Sequence, residues 1–244
     1  IMKKVIFLFI FFFSFSNLFS QLEENKVDNN KKIINTDFPG FIKMNLGLNF
    51  LLDNNEAMKM KVFSSRSVGL NYSKPFFLSD NLSFNTGLGV EFENYSFKNN
   101  VIIDYRFDVD DNQINFIDSL SIDSDKTKLV NSLLEVPLEF RYYFGDKENS
   151  ANRFFIGIGI DLGLRLDSFT KLKYTKNNKS IANISKNDFG LAKYRYSTSV
   201  TFGNDNFNLF IKYFLSDFFQ SNSNPEFILN KPILLKTGFS FSLF

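Results

Sequence analysis

From residue 41 onward the chain alternates apolar and polar side chains with a period of two, the period of a strand. Residues 41–51 set Ile42, Met44, Leu46, Leu48 and Phe50 against Lys43, Asn45, Gly47 and Asn49. Residues 66–77 set Val68, Leu70 and Tyr72 against Ser67, Gly69 and Asn71. The same alternation recurs over 82–96, 132–144, 153–167, 190–203, 207–218 and 232–244. Most of these eight segments exceed the ~9–11 residues that a tilted strand needs to cross a bilayer. Eight is an even number, as single-chain bacterial membrane barrels require.

The connections carry independent information. Short ones, around 79–81, 145–152 and 204–206, alternate with long ones at 52–65, 97–131, 168–189 and 219–231. Outer-membrane barrels show this alternation, with short periplasmic turns and long outer loops. The pattern therefore predicts an all-β fold, a transmembrane antiparallel up-and-down β-barrel of eight strands, with N- and C-termini periplasmic. Segment 97–131 holds two alternating pieces, Val101 to Val109 and Ile114 to Ile122, around Asp110-Asp111-Asn112. They read as a hairpin extending the third and fourth strands above the membrane. Ten membrane strands is the alternative, and Asp104, Arg106, Asp108 and Asp118 weigh against it.

Residues 1–20 have the make-up of a secretory signal peptide. Lys3 and Lys4 form the positive region, Val5 to Phe13 the apolar run, and Ser20 precedes the expected cleavage site. Residues 21–40 are polar and end in Pro39-Gly40, a flexible periplasmic lead-in to a barrel domain at 41–244. No later stretch approaches the ~20 apolar residues of a membrane helix, so a membrane would be entered by strands. The formal net charge is +2, which gives no reason to expect a nucleic-acid partner. Cysteine is absent, which removes disulfides and thiolate metal sites.

Alternation alone does not say which face is outside. The polar face is small, with Gly47, Gly69, Gly87, Gly89, Gly157, Gly159, Gly163 and Gly238, as a narrow lumen needs. The apolar face ends in aromatics such as Tyr72, Phe92, Tyr142, Phe154, Tyr196, Phe207 and Tyr213, suited to interfacial girdles. Both features predict lipid outside and polar groups within.

The strand Leu133-Leu134-Glu135-Val136-Pro137-Leu138-Glu139-Phe140-Arg141-Tyr142-Tyr143-Phe144 resembles the proline-containing "LEIPL" strand of the PorT-like outer-membrane β-barrel proteins of Bacteroidota. The glycine-alternating segment 154–166 and the segments 207–219 and 234–244 are similar to other strands of that family. The last fits its insertion signal through Lys236, Gly238, Phe241 and Leu243. The resemblance implies an integral outer-membrane barrel with no catalytic motif. Some members assist the type IX secretion system, and many have no assigned role.

Histidine is absent, and known outer-membrane barrel enzymes lean on it as a general base. Glu135 and Glu139 share a strand face and are the nearest thing to a catalytic carboxylate pair. The polar face also carries Glu91, Glu93, Arg141, Asp161, Arg165, Asp167, Lys193, Arg195, Lys212 and Lys236. Mixed signs in a narrow lumen predict an ion-pair network that fills the barrel. Such a lumen argues against an open pore, although a narrow transport channel is the second reading. Lys171, Lys173, Lys176, Lys179 and Lys186 make the loop 168–187 basic, suited to lipopolysaccharide phosphates or simply to solvent. Segment 97–131 is acidic, but its spacing fits no calcium loop. The expectation is a non-enzymatic envelope component without cofactor or metal, structural or interacting, with a secretion accessory as one form of it. Its expected partners are outer-membrane lipid and lipopolysaccharide, the barrel assembly machinery during insertion, and secretion or envelope proteins.

Overall fold

The computed structural model describes residues 40–52, 58–98, 100–107, 113–119, 124–145, 153–220 and 232–243. The expected signal peptide and nearly all of the lead-in lie outside them. The strands are β1 (Phe41–Leu52), β2 (Arg66–Phe77), β3 (Leu82–Ser96), β4 (Val101–Phe107), β5 (Gln113–Ser119), β6 (Ser124–Tyr143), β7 (Phe155–Lys176), β8 (Lys179–Lys186), β9 (Tyr194–Gly203), β10 (Phe207–Phe214) and β11 (Ile233–Ser242).

Eight of them close into an antiparallel ring in the order β1-β2-β3-β6-β7-β9-β10-β11. The last strand returns to the first, from Lys43 opposite Ser242 to Leu52 opposite Ile233. Closure leaves the ring no free edge, which is what lipid demands of a sheet. One end carries the short turns and the chain ends of the barrel (the turn end). The other carries the long connections (the loop end).

The faces fall as the alternation predicts. Ile158 is 64 % exposed on the outside, whereas Glu93 and Lys236 are 0 % exposed within. A soluble barrel would invert this, because its apolar side chains would fill the interior. Near the turn end the outer aromatics pack on one another. Phe84 lies 5.1 Å from Phe140, and Phe207 lies 5.3 Å from Phe241, ring centre to ring centre.

Two features depart from the expected layout. First, β4 and β5 pair only with each other among the described residues, so they neither join the ring nor extend β3 and β6. Val101 and Ile103 of β4 are buried instead over the mouth of the barrel. Second, it is β6 and β7 that continue past the ring, at 20 and 22 residues. A two-residue turn then sends the chain back as β8. Asn177 and Asn178 both have positive φ, 51° and 58°. That is the backbone of the primed hairpin turn, which asparagine tolerates better than most residues. A register shift at Ser132/Leu133 marks the passage from ring to extension.

The loop end is closed by an apolar cap. Leu51, Tyr95, Phe214 and Leu234 point inward from the ring, and Met58, Phe97, Phe189, Leu191, Phe218 and Phe219 come down from the connections. Isolated bridges, Met60 to Phe97 and Leu191 to Phe219, tie those connections across the mouth.

At the seam where the ring closes, Gly47 stands opposite Gly238 and the inward Phe210 ring fills the space above them. A Cβ at Gly238 would strike the Leu46 carbonyl oxygen and come within 2.8 Å of the Phe210 ring. Gly238→Val is therefore expected to abolish the faster-migrating unboiled band of a closed barrel, while the lipid-facing Phe239→Val retains it. Gel electrophoresis with and without boiling checks both.

Candidate functional site

The lumen is built from the inward positions of the eight ring strands, and its charges lie in three levels. Nearest the turn end, Arg141 donates to Glu139 (Nε to Oε2, 2.7 Å) and to Asp205 in the β9–β10 turn (3.0 Å). Tyr143 also donates to Asp205, and Thr201 donates to Glu139. The Arg141 guanidinium lies 4.2 Å above the Phe155 ring, a cation–π contact. Arg153 donates to the Asp80 carbonyl and to the Asn81 side chain, across the turn end.

In the middle, Lys212 Nζ lies 3.0 Å from Glu135 and 3.1 Å from Asp161. Nearest the loop end, Lys236 Nζ lies 2.7 Å from both Glu91 and Glu93. Arg195 and the Tyr95 hydroxyl both donate to the second Glu93 oxygen. Arg195 then stacks 4.3 Å over Phe214, where the apolar cap begins.

These bonds link strands that are not neighbours in the ring. Lys236 of β11 reaches β3, Lys212 of β10 reaches β6 and β7, and Arg195 of β9 reaches β3. The Lys236 and Arg195 ties reach across the barrel to β3, so they form as the ring closes. Buried charge costs several kcal/mol per ion unless paired, and here paired carboxylates and cations offset that cost.

Between the first two levels the lumen keeps a polar cavity of about 60 Å³. Lys43, Asn71, Asp161 and Asn208 line it, each with a buried polar atom that has no protein hydrogen-bond partner. Mixed donors and acceptors in that volume suit roughly four water molecules.

Of the lumen residues expected from sequence, Glu91, Glu135, Glu139, Arg141, Asp161 and Arg195 come together with Glu93, Lys212 and Lys236. Arg165 and Lys193 do not. Arg165 sits at the loop-end rim, where it donates to Ser168 (3.0 Å) and to the Leu191 carbonyl (3.1 Å), holding the β8–β9 connection. Lys193 is exposed, its ammonium beside the Tyr194 ring. Asp167 is exposed as well and pairs with Lys186 at 3.7 Å. Arg165 keeps the ring's inward parity opposite Leu133 but stands at the rim, just short of the register shift; Asp167 lies beyond that shift and Lys193 in a connection. Glu135 and Glu139 serve different cations, Lys212 and Arg141, and so do not act as a carboxylate couple sharing one site. Sequence reading passed over Lys43, Tyr95, Asp205 and Arg153. Lys43, Tyr95 and Arg153 had a signal, the inward parity of the segments 41–51, 82–96 and 153–167; Asp205 lies in a turn and had none.

The lysines of the basic segment fall on the β7–β8 hairpin. Lys171 and Lys173 are on β7, and Lys176 faces Lys179 at its tip. Of the acidic segment, Asp108, Asp110, Asp111 and Asp123 lie outside the described residues.

A closed antiparallel ring, apolar outside and ion-paired within, defines a transmembrane β-barrel. The family model for the outer membrane protein beta-barrel domain matches residues 11–219. The chain belongs to that family and is an integral outer-membrane protein. A search of curated proteins finds no match.

Lys236→Met leaves Glu91 and Glu93 buried without their shared cation. It is expected to cost about 3–5 kcal/mol of barrel stability. Lys43→Met removes a cation that no carboxylate bonds among the described residues, and is expected to cost less than about 1 kcal/mol or to stabilise. Urea titration of the two refolded variants in detergent measures both.

Proposed function

We propose that this chain is a non-enzymatic, non-conducting barrel that works through its loop end, which faces the cell exterior. Its role is that of a structural and interaction component of the envelope. The observation that carries this reading is a lumen filled by side chains along its length. The apolar cap covers one end; Arg141, Arg153, Tyr143 and Phe155 cover the other. What lies between is ion pairs and a cavity of water size. A solute path would have to break the charge pairs that stabilise the barrel.

The loop end, by contrast, is built up. β7 is about twice the length a membrane crossing needs. β8 pairs only with β7 among the described residues, so its other edge offers backbone groups to a partner strand. Secretion or envelope proteins are the partners this edge suits, and the proline strand at 133–144 supports a PorT-like secretion accessory as the particular form. The terminal strand, with Lys236, Gly238 and Phe241, suits the barrel assembly machinery during insertion.

Both halves of the proposal can be measured. The purified barrel in planar bilayers is expected to show no steady conductance; a stable open channel would overturn the sealed reading. The chain has no native cysteine, so single cysteines report cleanly. Lys179→Cys is expected to react with a membrane-impermeant maleimide on intact cells, and Asn206→Cys to react only after the outer membrane is opened. The reverse pattern would place the loop end in the periplasm.

A further inference from the structure

We propose that the outward face of the β6–β7 extension is a binding site for the phosphorylated disaccharide headgroup of lipopolysaccharide, formed by Lys126, Lys128, Lys171 and Lys173. The proposal rests on the loop end facing the cell exterior. It assigns the ligand to four particular side chains on two strands, only two of which belong to the basic segment legible in sequence.

Register brings the four together. Lys128 stands directly opposite Lys171, and Lys126 directly opposite Lys173. The inward parity of the extension belongs to Thr127, Leu129 and Thr170, which are buried, so the lysines project from the outer face. Like charges directly opposite on paired strands repel and destabilise the pair. Here two such pairs are stacked into a square.

Nothing among the described residues neutralises the square. On the β8 side Lys171 and Lys173 face Ile184 and Ala182, and on the β3 side Lys128 faces Ser96. Two carboxylates on the same strands are engaged elsewhere. Asp125 accepts from Thr175 at 3.0 Å, and Asp167 pairs with Lys186. Partial burial, with Lys126 and Lys171 beside it, lowers the Lys128 ammonium below its ordinary value. An anion on this face would relieve all three effects.

The square also stands at the right height. The outer face of β7 runs from lipid-facing Leu162, Leu164 and Leu166 past Asp167 and through Phe169 to Lys171. Five residues of tilted strand separate Leu166 from Lys171, about 12 Å along the membrane normal. The headgroup layer adds about 5–8 Å to each side of the hydrocarbon. A lysine stem turned down along Phe169 brings its ammonium to that layer. Each ammonium has three donors and acts as a point charge, which suits tetrahedral phosphates on a flexible sugar scaffold.

The test uses the full chain refolded in detergent without lipopolysaccharide. Binding is titrated with native lipopolysaccharide, with enzymatically dephosphorylated lipopolysaccharide and with inorganic phosphate as competitor. The quadruple variant Lys126→Gln, Lys128→Gln, Lys171→Gln, Lys173→Gln is expected to lose at least about tenfold in affinity for the native glycolipid. It should no longer distinguish the two forms. The tip variant Lys176→Gln, Lys179→Gln is expected to bind as the parent does, and inorganic phosphate not to compete. Relief of repulsion should let the quadruple variant fold at least as well, as the unboiled gel band reports; if it does not, Lys128→Gln with Lys171→Gln carries the same expectation. Undiminished binding by the substituted barrel, an equal loss in the tip variant, or competition by phosphate alone would overturn the site. Periplasmic labelling of Lys179→Cys with binding intact in detergent would overturn the orientation instead, so the two failures are distinguishable.

Discussion

Most of the charge inside this barrel is held in pairs, with Lys43 the exception among the described residues, and much of the architecture follows from that. Lipid on the outside forces the polar half of every strand inward, where ions are cut off from bulk water. The pairs that result are long-range ties. Lys236, Lys212 and Arg195, on the last three strands of the ring, find their carboxylates on β3, β6 and β7. A sheet left uncurled would hold Lys236 and Arg195 away from β3, so the network favours closure as well as filling the space. Where no charge is placed, as at the Gly47–Gly238 seam, the backbones approach closely and Phe210 takes up the volume.

A filled lumen moves function to the rim. The apolar cap adds a second seal at the loop end, made by ring residues such as Phe214 and Leu234 meeting Phe218, Phe219 and Phe189 from the connections. That cap also gives the long connections an anchored base. The β6–β7–β8 sheet therefore rises directly from the ring, which sets the height of its strands above the membrane plane.

The ring itself was legible in the sequence because a two-residue period with lipid on one side leaves little choice of architecture. β2 and β3 begin and end where the alternation does. The ends of β6 and β7 were less legible, since past the membrane the apolar face gives way to Lys126, Lys128, Lys171 and Lys173 and the period loses its hydrophobic signal. The Asn177-Asn178 turn was a local cue for β8 that composition alone disguised as a basic loop. Arg165 and Lys193 shared the ring's alternation in the sequence, but Arg165 stands at the rim, where it bonds the β8–β9 connection, and Lys193 lies in that connection. The cap was invisible for a different reason. Met58, Phe97, Leu191 and Phe218 are scattered through polar connections and acquire a common face only when the ring brings them together.

Which cation meets which carboxylate depends on the stagger of strands around the ring, and no single segment encodes that. The middle level offers the most direct measurement, because Lys212 bonds Glu135 and Asp161. The quantity to measure is the urea midpoint of the refolded barrel for Lys212→Met alone and for Lys212→Met combined with Glu135→Gln and Asp161→Asn. The single change is expected to cost about 3–5 kcal/mol, and neutralising the stranded carboxylates to restore most of it. A single variant as stable as the parent, or a triple variant no better than the single, would contradict charge pairing as the constraint that organises the lumen.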